Sequence, residues 1–482
     1  MKLLLGVFLP AFTNGEYNGV PFALRREERD VYGKGCASMK LRSLAAGVLT
    51  AAACLASLPA VAAPAAEKAE RIQLVNNNHV PQKLLVVYTY GNGAFVKDLF
   101  TVVKQINEQE HLSGADRLKL HIVTSGGDPV KELGITAADA EAYVEVNPKF
   151  RSSDIWMQDC MEICSAWVGG KHLQAVFDSN RGRGLAGLPK TLAEMWDLVY
   201  FKNPSTQMSH GDYGGNLEVT PFDDIMVAGN TITPSCKAFF EKMGYAGRLA
   251  TPDTRWLTVG HIDEYISFIP TPHAPGGYSI VRADPGYALE LLTNIDDGEL
   301  SRLSSSDREF LLRVKRVLNA QYADPAAGRG TTEGAFIELN RAIGEIIEKN
   351  VGELKQFIRA ATNDPDRDIA EVYWPSLYEG RGGSNPSGCC AYLPGVVNLT
   401  VVRNHLLVPA CHIPSFDKVI EARFRAQGNT VHFIDDQPYH TSMGEIHCGT
   451  NVLRDPERTI LTKRQIRAVQ AVRERFRAIH GN

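Results

Sequence analysis

Positive charge is not in surplus in this 482-residue chain: 51 lysines and arginines stand against 55 aspartates and glutamates, a formal net charge of −4. That balance excludes the strongly basic character of a general nucleic-acid or anionic-membrane binder. Long apolar runs are missing as well. No internal stretch reaches the roughly 20 residues that cross a bilayer as a helix. Cysteine is sparse, nine in all, too few for a fold of this size to be built on disulfides. What is present is a chain 44% hydrophobic and 22% charged, which excludes a largely disordered protein. The length permits two to four domains or one large one.

The amino-terminal region carries an export pattern that does not begin at residue 1. Met39-Lys40-Leu41-Arg42 is a short basic start, Leu44 to Leu58 is an apolar run, and Ala60-Val61-Ala62 supplies the small residues accepted at a cleavage site. Residues 39–62 are therefore expected to be a signal peptide. Residues 1–38, with the charged run Arg25-Arg26-Glu27-Glu28-Arg29-Asp30, fit poorly ahead of it. They read as an upstream mis-start or a disordered extension, with Met39 the true first residue. Residues 63–482 then form the working protein, periplasmic or secreted. It keeps seven cysteines, Cys160, Cys164, Cys236, Cys389, Cys390, Cys411 and Cys448. An odd number in an oxidising compartment leaves at least one thiol unpaired within the chain.

Strands are expected at Lys83–Tyr90, Leu118–Thr124, Leu173–Asp178, Asp224–Ala228, Tyr265–Pro270, Tyr278–Ala283, Val396–Val402 and Thr430–Ile434, where β-branched and aromatic runs are bounded by turn residues. Helical periodicity marks Lys190–Phe201, Ser306–Tyr322, Gly334–Ala361 and Thr462–Ile479. The two types alternate from end to end, an α/β chain without a clear linker. Gly380–Gly388 reads as a loop.

Three segments concentrate reactive side chains. In Trp156-Met157-Gln158-Asp159-Cys160-Met161-Glu162, an extended backbone would turn Asp159 to one face and Gln158, Cys160 and Glu162 to the other. In Gly260-His261-Ile262-Asp263-Glu264, an imidazole and a carboxylate two apart would share a strand face, an arrangement common to acid/base pairs and to metal ligands. In Gly444-Glu445-Ile446-His447-Cys448-Gly449-Thr450-Asn451, a cysteine sits on a bend where a thiolate can be exposed and stabilised. Taken singly, each also fits a plain structural role: a surface acid on a strand, a chance pair, a buried inert thiol.

Taken together and in order, these segments resemble the protein-arginine deiminase family. A fourth, Phe177-Asp178-Ser179-Asn180-Arg181-Gly182-Arg183-Gly184-Leu185, is similar to the family's segment with two arginines that grip the substrate backbone. The resemblance runs from about residue 75 to 455. It implies the pentein fold, a five-bladed α/β-propeller around a central polar channel. Animal members place immunoglobulin-like domains ahead of the catalytic domain, for which residues 63–482 leave no room. The implied catalytic set is Asp159, His261, Asp263 and Cys448, with Trp156, Arg181 and Arg183 binding substrate. Two carboxylates suit a planar guanidinium, which they hold bidentately, while Cys448 attacks its carbon and His261 moves protons. The implied reaction is hydrolysis of peptidyl-arginine to peptidyl-citrulline and ammonia, and the partners are arginine-containing proteins or peptides.

The resemblance also implies calcium, a hard cation that takes oxygen ligands. Gln158, Glu162 and Glu218, with carbonyls near Gly214 and Leu217, match one site. Asp178 and Ser179 match part of a second, where Cys160 and Gly182 replace oxygen donors. Ser442 stands where animal enzymes carry an arginine near the active-site entrance. A disulfide among Cys160 and Cys164, or among Cys389, Cys390 and Cys411, is a further expectation. Two other functions stay open at this point: a deiminase of small guanidines such as free arginine or agmatine, and a non-catalytic calcium-binding or adhesion protein on the same scaffold. A peptide-bond hydrolase fits less well, because two acids around a thiol suit a cation better than an amide.

Overall fold

Five times along the chain the same strand pattern returns: two antiparallel strands, a helical crossover, and a third strand parallel to the second. The computed structural model describes residues 68–468 and 471. The expected signal peptide and the upstream segment lie outside these residues, as does most of the helix expected over 462–479.

The first unit pairs Met161–Val168 with Lys171–Asp178 and closes with Val199–Lys202, crossing through the helix Leu188–Trp196. Ala69–Leu74 adds an outer antiparallel strand to it. The second joins Leu217–Val219, Met226–Ala228 and Leu249–Ala250. The third joins Ile266–Pro270, Tyr278–Asp284 and Ala370–Pro375, and its crossover is long, carrying helices Pro285–Asn294, Ser305–Gln321 and Thr332–Thr362. The fourth joins Thr400–Val402, His405–Pro409 and Thr430–Ile434 across helix Pro414–Ala426. The fifth is assembled from both ends of the chain. Thr450–Thr459 pairs antiparallel with His79–Tyr88, which runs parallel to Lys119–Thr124 across helix Gly93–Gln109, with Val144–Val146 at the edge. This is the five-bladed α/β architecture expected from the resemblance. The closing pair of the ring unites residues nearly four hundred positions apart.

Local sequence explains the crossovers. Thr331 caps the 31-residue helix by accepting from the Gly334 amide, and Asn363 ends it in the left-handed region at φ 54°. Between them Phe336, Leu339, Ile343, Ile347, Val351, Leu354 and Ile358 recur at three- and four-residue steps and bury one stripe. Asp284 and Thr233 cap two other crossover helices, each followed by proline at the first helical position. The leading strands are covered on both faces, so Met161–Cys164 and Ile266–Pro270 are buried runs rather than alternating ones.

Some expectations need correction. Lys190–Phe201 is not one helix: the helix stops at Trp196, Asp197 turns left-handed at φ 53°, and Val199–Lys202 is a strand. The β-branched and aromatic Val199, Tyr200 and Phe201 carry the sheet preference that the helical spacing concealed. Val396–Val402 is strand only from Thr400. Helices Gly93–Gln109 and Pro414–Ala426 form where none was expected.

Candidate functional site

The segment entering the first strand of each blade is irregular, and the five such segments meet. They are the turn at 157–160, the 3-10 turn Gly214–Asn216, the 3-10 turn Ile262–Glu264, the bend at 396–399 and the helical turn Ile446–Gly449. Cross-blade contacts bind them together. The Gln158 amide donates to the Cys448 carbonyl, the His447 amide to the Asn398 carbonyl, and the Asn398 side chain to the Asp263 carbonyl. Asp159, His261, Asp263 and Cys448, four of the residues singled out in the sequence, thus come from three blades to one place.

Neither of the first two segments is a strand. His261 and Asp263 straddle the start of the Ile262–Glu264 turn, yet they still face a common point. A Cβ on Gly215 would lie 2.7 Å from His261 Nδ1 and 3.0 Å from Asp263 Oδ2, so only glycine permits that approach. In the turn at 157–160, Gln158 and Glu162 do share a side, with Gln158 Nε2 donating to Glu162 at 2.8 Å. Cys160 does not join them. Its thiol turns back on the Met157 carbonyl at 3.2 Å inside an apolar cluster with Met157 and Met161.

Asp159, His261, Asp263 and Cys448 are largely withdrawn from solvent, Asp159 least so with a side chain 13% exposed. Cys448 is 7% exposed, His261 and Asp263 1% each. The Cys448 thiol lies 3.5 Å from Asp263 Oδ2. Burial pushes that thiol well above its ordinary pKa, and the carboxylates of Asp263 and Asp159 push it further. His261 Nε2 lies 2.9 Å from the His210 carbonyl. A carbonyl only accepts, so that nitrogen carries the hydrogen. The opposite nitrogen, Nδ1, has no hydrogen-bond partner and faces Asp159 Oδ1 at 3.8 Å. Burial raises the Asp159 carboxyl, while His261 and Arg181 oppose the rise.

Trp156 is half-buried and packs edge-on against Tyr439 at 5.7 Å. A Cβ at Gly444 would meet the Trp156 ring at 2.4 Å and Cys448 Cβ at 3.2 Å, so the indole flanks Cys448. The two arginines part company. Arg181 has a side chain 1% exposed, paired with Asp154 at 3.0 Å and Asp159 at 3.4 Å. Arg183 is 63% exposed, with Nε 3.3 Å from the same Asp154. Only Arg183 is thus open to a ligand arriving from solvent.

Residues expected at metal sites divide in the same way. Gln158, Glu162, Leu217 and Glu218 line one cavity of about 40 Å³, shared with His447 and Arg454, and Gly214 opens the turn that precedes Leu217. Glu162 is raised well above the carboxylate range by burial and by the charge of Glu218, and burial raises Glu218 to about 7. Asp178 and Ser179 are elsewhere and already engaged. Asp178 accepts from the Tyr200 hydroxyl at 2.6 Å and the Asn180 amide at 2.8 Å, and Ser179 donates to the Asp159 carbonyl at 2.6 Å. Among the described residues no group of three or more His, Cys, Asp or Glu side chains converges as a metal cluster. Among the described residues the seven cysteines from Cys160 onward form no disulfide, against the expected pairings. Cys160 and Cys164 pack into different apolar clusters.

Sequence reasoning missed Asn398, the bridging role of His447, and Arg454. His447 Nδ1 is 2.9 Å from Asp263 and Nε2 3.8 Å from Glu218. Burial opposes its protonation, but Asp263 and Glu218 prevail and its pKa is raised. Arg454 is 4% exposed, bonds only neutral acceptors on His79, Asn77 and Val401, and offers its charge to Glu162 and Glu218. A lone Asn in the apolar run Val396-Val397-Asn398-Leu399 and an Arg inside a closing strand were the available signals.

The chain is 27% identical to protein-arginine deiminase type-3 of Rattus norvegicus over 336 residues, covering 63% of this chain and 47% of the relative. It is 28% identical to the human type-4 protein over 364 residues, 68% of this chain and 51% of that one. The chain therefore spans about half the length of the curated relatives it matches. Among solved structures, the C. jejuni agmatine deiminase superposes with a TM-score of 0.45 at 12% identity, covering 80% of this chain and 96% of that one. The protein-arginine deiminase family profile matches residues 80–232 and 236–459, well over half of the sequence, and the chain belongs to that family.

Proposed function

We propose that this protein hydrolyses peptidyl-arginine to peptidyl-citrulline and ammonia through a covalent bond to Cys448. The observation that carries the reading is the convergence of a thiol, an imidazole with one free nitrogen and two carboxylates in one buried site of a family member. Asp159 and Asp263 hold the substrate guanidinium between them, and its charge offsets the field that keeps the Cys448 thiol protonated. Cys448 sulfur then bonds to the guanidinium carbon. The thiol proton, taken up by His261 Nδ1 and passed to the departing nitrogen, lets the C–N bond break with departure of ammonia, leaving an S-linked amidinium. Nδ1 next takes a proton from water, whose oxygen bonds to the same carbon as the C–S bond breaks. Overall one C=N is replaced by C=O and one positive charge is lost.

Calcium at the Gln158, Glu162 and Glu218 site, with carbonyls of Gly214 and Leu217, belongs to the same proposal. The donor set fits: two buried carboxylates that repel one another and an amide oxygen line one small cavity. A bound ion would supply positive charge between the two acids. The residues expected at a second site do not fit, because the Asp178 oxygens are already occupied and Cys160 faces apolar neighbours.

A deiminase of small guanidines is the second reading, favoured by one observation: Arg181 is committed to Asp154 and Asp159 rather than free to grip a peptide. Citrulline formation from benzoyl-arginine amide against free arginine and agmatine, with calcium and with chelator, separates the two. Preference for the free amino acid would overturn the peptidyl reading, and no ureido product from any of them would overturn the deiminase reading. Export by the 39–62 signal is part of the proposal as well. Mass spectrometry of the secreted or periplasmic protein should find an amino terminus near Ala63, and retention of residues before Met39 would refute it.

A further inference from the structure

Asn398 sits on the bend of the fourth blade, one of the two blades whose entering segment contributes none of Asp159, His261, Asp263 and Cys448. Its side chain is 3% exposed and fully engaged. Oδ1 accepts the Cys448 backbone amide at 3.1 Å. That contact fixes the orientation of the carboxamide, because the amide N–H requires an acceptor and the Nδ2 end has none to offer. Nδ2 therefore points the other way, toward the Cys448 sulfur at 3.2 Å and the Asp263 carbonyl at 3.3 Å. Its two hydrogens have these two acceptors within reach. The backbone joins in, since the Asn398 carbonyl accepts from the His447 amide and its own amide donates to the Gly395 carbonyl.

The sulfur is the atom on which negative charge grows before it bonds to carbon, and to which charge returns when that bond breaks. A donor held in place by four other hydrogen bonds costs little to reorganise as that charge appears. The two carboxylates of the site have the wrong sign for a thiolate: Asp263 and Asp159 both disfavour it. Among the described residues, Asn398 is the neighbour whose side-chain hydrogen bond opposes them.

We propose that Asn398 is a catalytic residue, whose side-chain amide donates to the Cys448 sulfur whenever it carries negative charge and fixes its distance from Asp263. Its part in turnover rests on the deiminase reading; its effect on the sulfur does not. Two substitutions distinguish donation from mere support. Asn398→Ala removes the whole carboxamide. Asn398→Asp keeps the shape and the acceptor for the Cys448 amide but replaces the donor with a second acceptor. Folding of both is checked by circular dichroism and thermal melting.

The first readout is the rate at which iodoacetamide alkylates Cys448, followed by peptide mass spectrometry at one pH and needing no arginine substrate. Loss of a hydrogen bond to a charged atom should slow it roughly 10- to 100-fold in both variants. The second is citrulline formation from benzoyl-arginine amide, where kcat should fall by about 10²–10³ with KM changed less than about threefold. Wild-type alkylation of Cys448 without citrulline would sink the deiminase reading and leave the alkylation rates to decide on Asn398. Near-wild-type alkylation and kcat in folded Asn398→Asp would show that Asn398 only supports the turn and would overturn the proposal. Failure of both variants to fold would overturn it in the same sense, since the residue would then be structural.

Discussion

Glu445 opens the turn that carries Cys448, and its carboxyl shares a buried pocket with another acid. Oε1 accepts the Gly395 amide at 2.9 Å and lies 2.8 Å from His440 Nδ1. Oε2 and both oxygens of Asp436 find no N–H or O–H donor, and the two carboxyls face one another. Two carboxylates bond only if one keeps its proton, so the folded protein retains a proton here that an unfolded chain loses at mildly acidic pH. Burial raises Glu445 from 4.5 to about 8, and burial together with Glu445 raises Asp436 well above the usual range. The sign follows from linkage. A carboxyl raised on folding contributes its stability in full below pH 4.5 and loses it as pH climbs toward 8, because the folded state binds more protons than the unfolded one over that window. At about 1.4 kcal/mol per unit, a rise from 4.5 to about 8 corresponds to roughly 5 kcal/mol as an upper bound. Glu445→Gln keeps the acceptor for Gly395 and cannot ionise. Urea unfolding of wild type and Glu445→Gln at pH 5, 6, 7 and 8 measures the effect. The variant should be the less pH-sensitive by about 2–5 kcal/mol across the series, and it should overtake wild type toward pH 8. Parallel curves would refute the shared proton.

Cys448→Ala and Cys448→Ser should both abolish citrulline formation while leaving the thermal midpoint nearly unchanged, and near-wild-type turnover in either would remove Cys448 as nucleophile. Asp159→Asn and Asp263→Asn should each lower kcat/KM by several orders of magnitude, since a neutral amide cannot pair with a guanidinium; a loss of less than tenfold would mean that the substrate binds elsewhere. Arg181→Met should cost about 3–5 kcal/mol of folding stability, because it leaves Asp154 and Asp159 without their buried partner; a cost under about 1 kcal/mol would place the guanidinium in solvent. Glu218→Gln should weaken calcium binding by calorimetry and calcium activation together, whereas Asp178→Asn should alter neither, and equal effects of the two would revive a second ion.

The reactive residues could be read from the sequence because they are chemically unusual where they stand, a Cys beside Gly and His, and acids beside apolar residues. Their local geometry could not. Alternation along a strand assigns Cys160 to the face of Gln158 and Glu162, but the chain turns there, and a turn rather than a pleat brings 158 and 162 together. His261 and Asp263 converge for a similar reason, through a 3-10 turn and a missing side chain at Gly215. The two long helices of the third crossover and four of the five second strands were visible in the sequence pattern. Several leading strands were not, since a three-residue strand such as Leu217–Val219 has no period to detect. Asn398 and Arg454 escaped notice because burial alone makes them important. Arg181 shows the opposite error: its sequence context implied a hand for the substrate, whereas its surroundings hold it as a brace for two aspartates.

The ring is fastened by pairing Thr450–Thr459 with His79–Tyr88, and that arrangement sets a schedule. A ribosome makes the carboxylates at 159 and 263 well before the thiol at 448, and the thiol reaches them only when the final strand docks beside the first. Clipping anywhere between residues 449 and 459 would unfasten the ring and release the Cys448 thiol from its place beside Asp263 in a single event, so the seam that completes the architecture also positions the thiol.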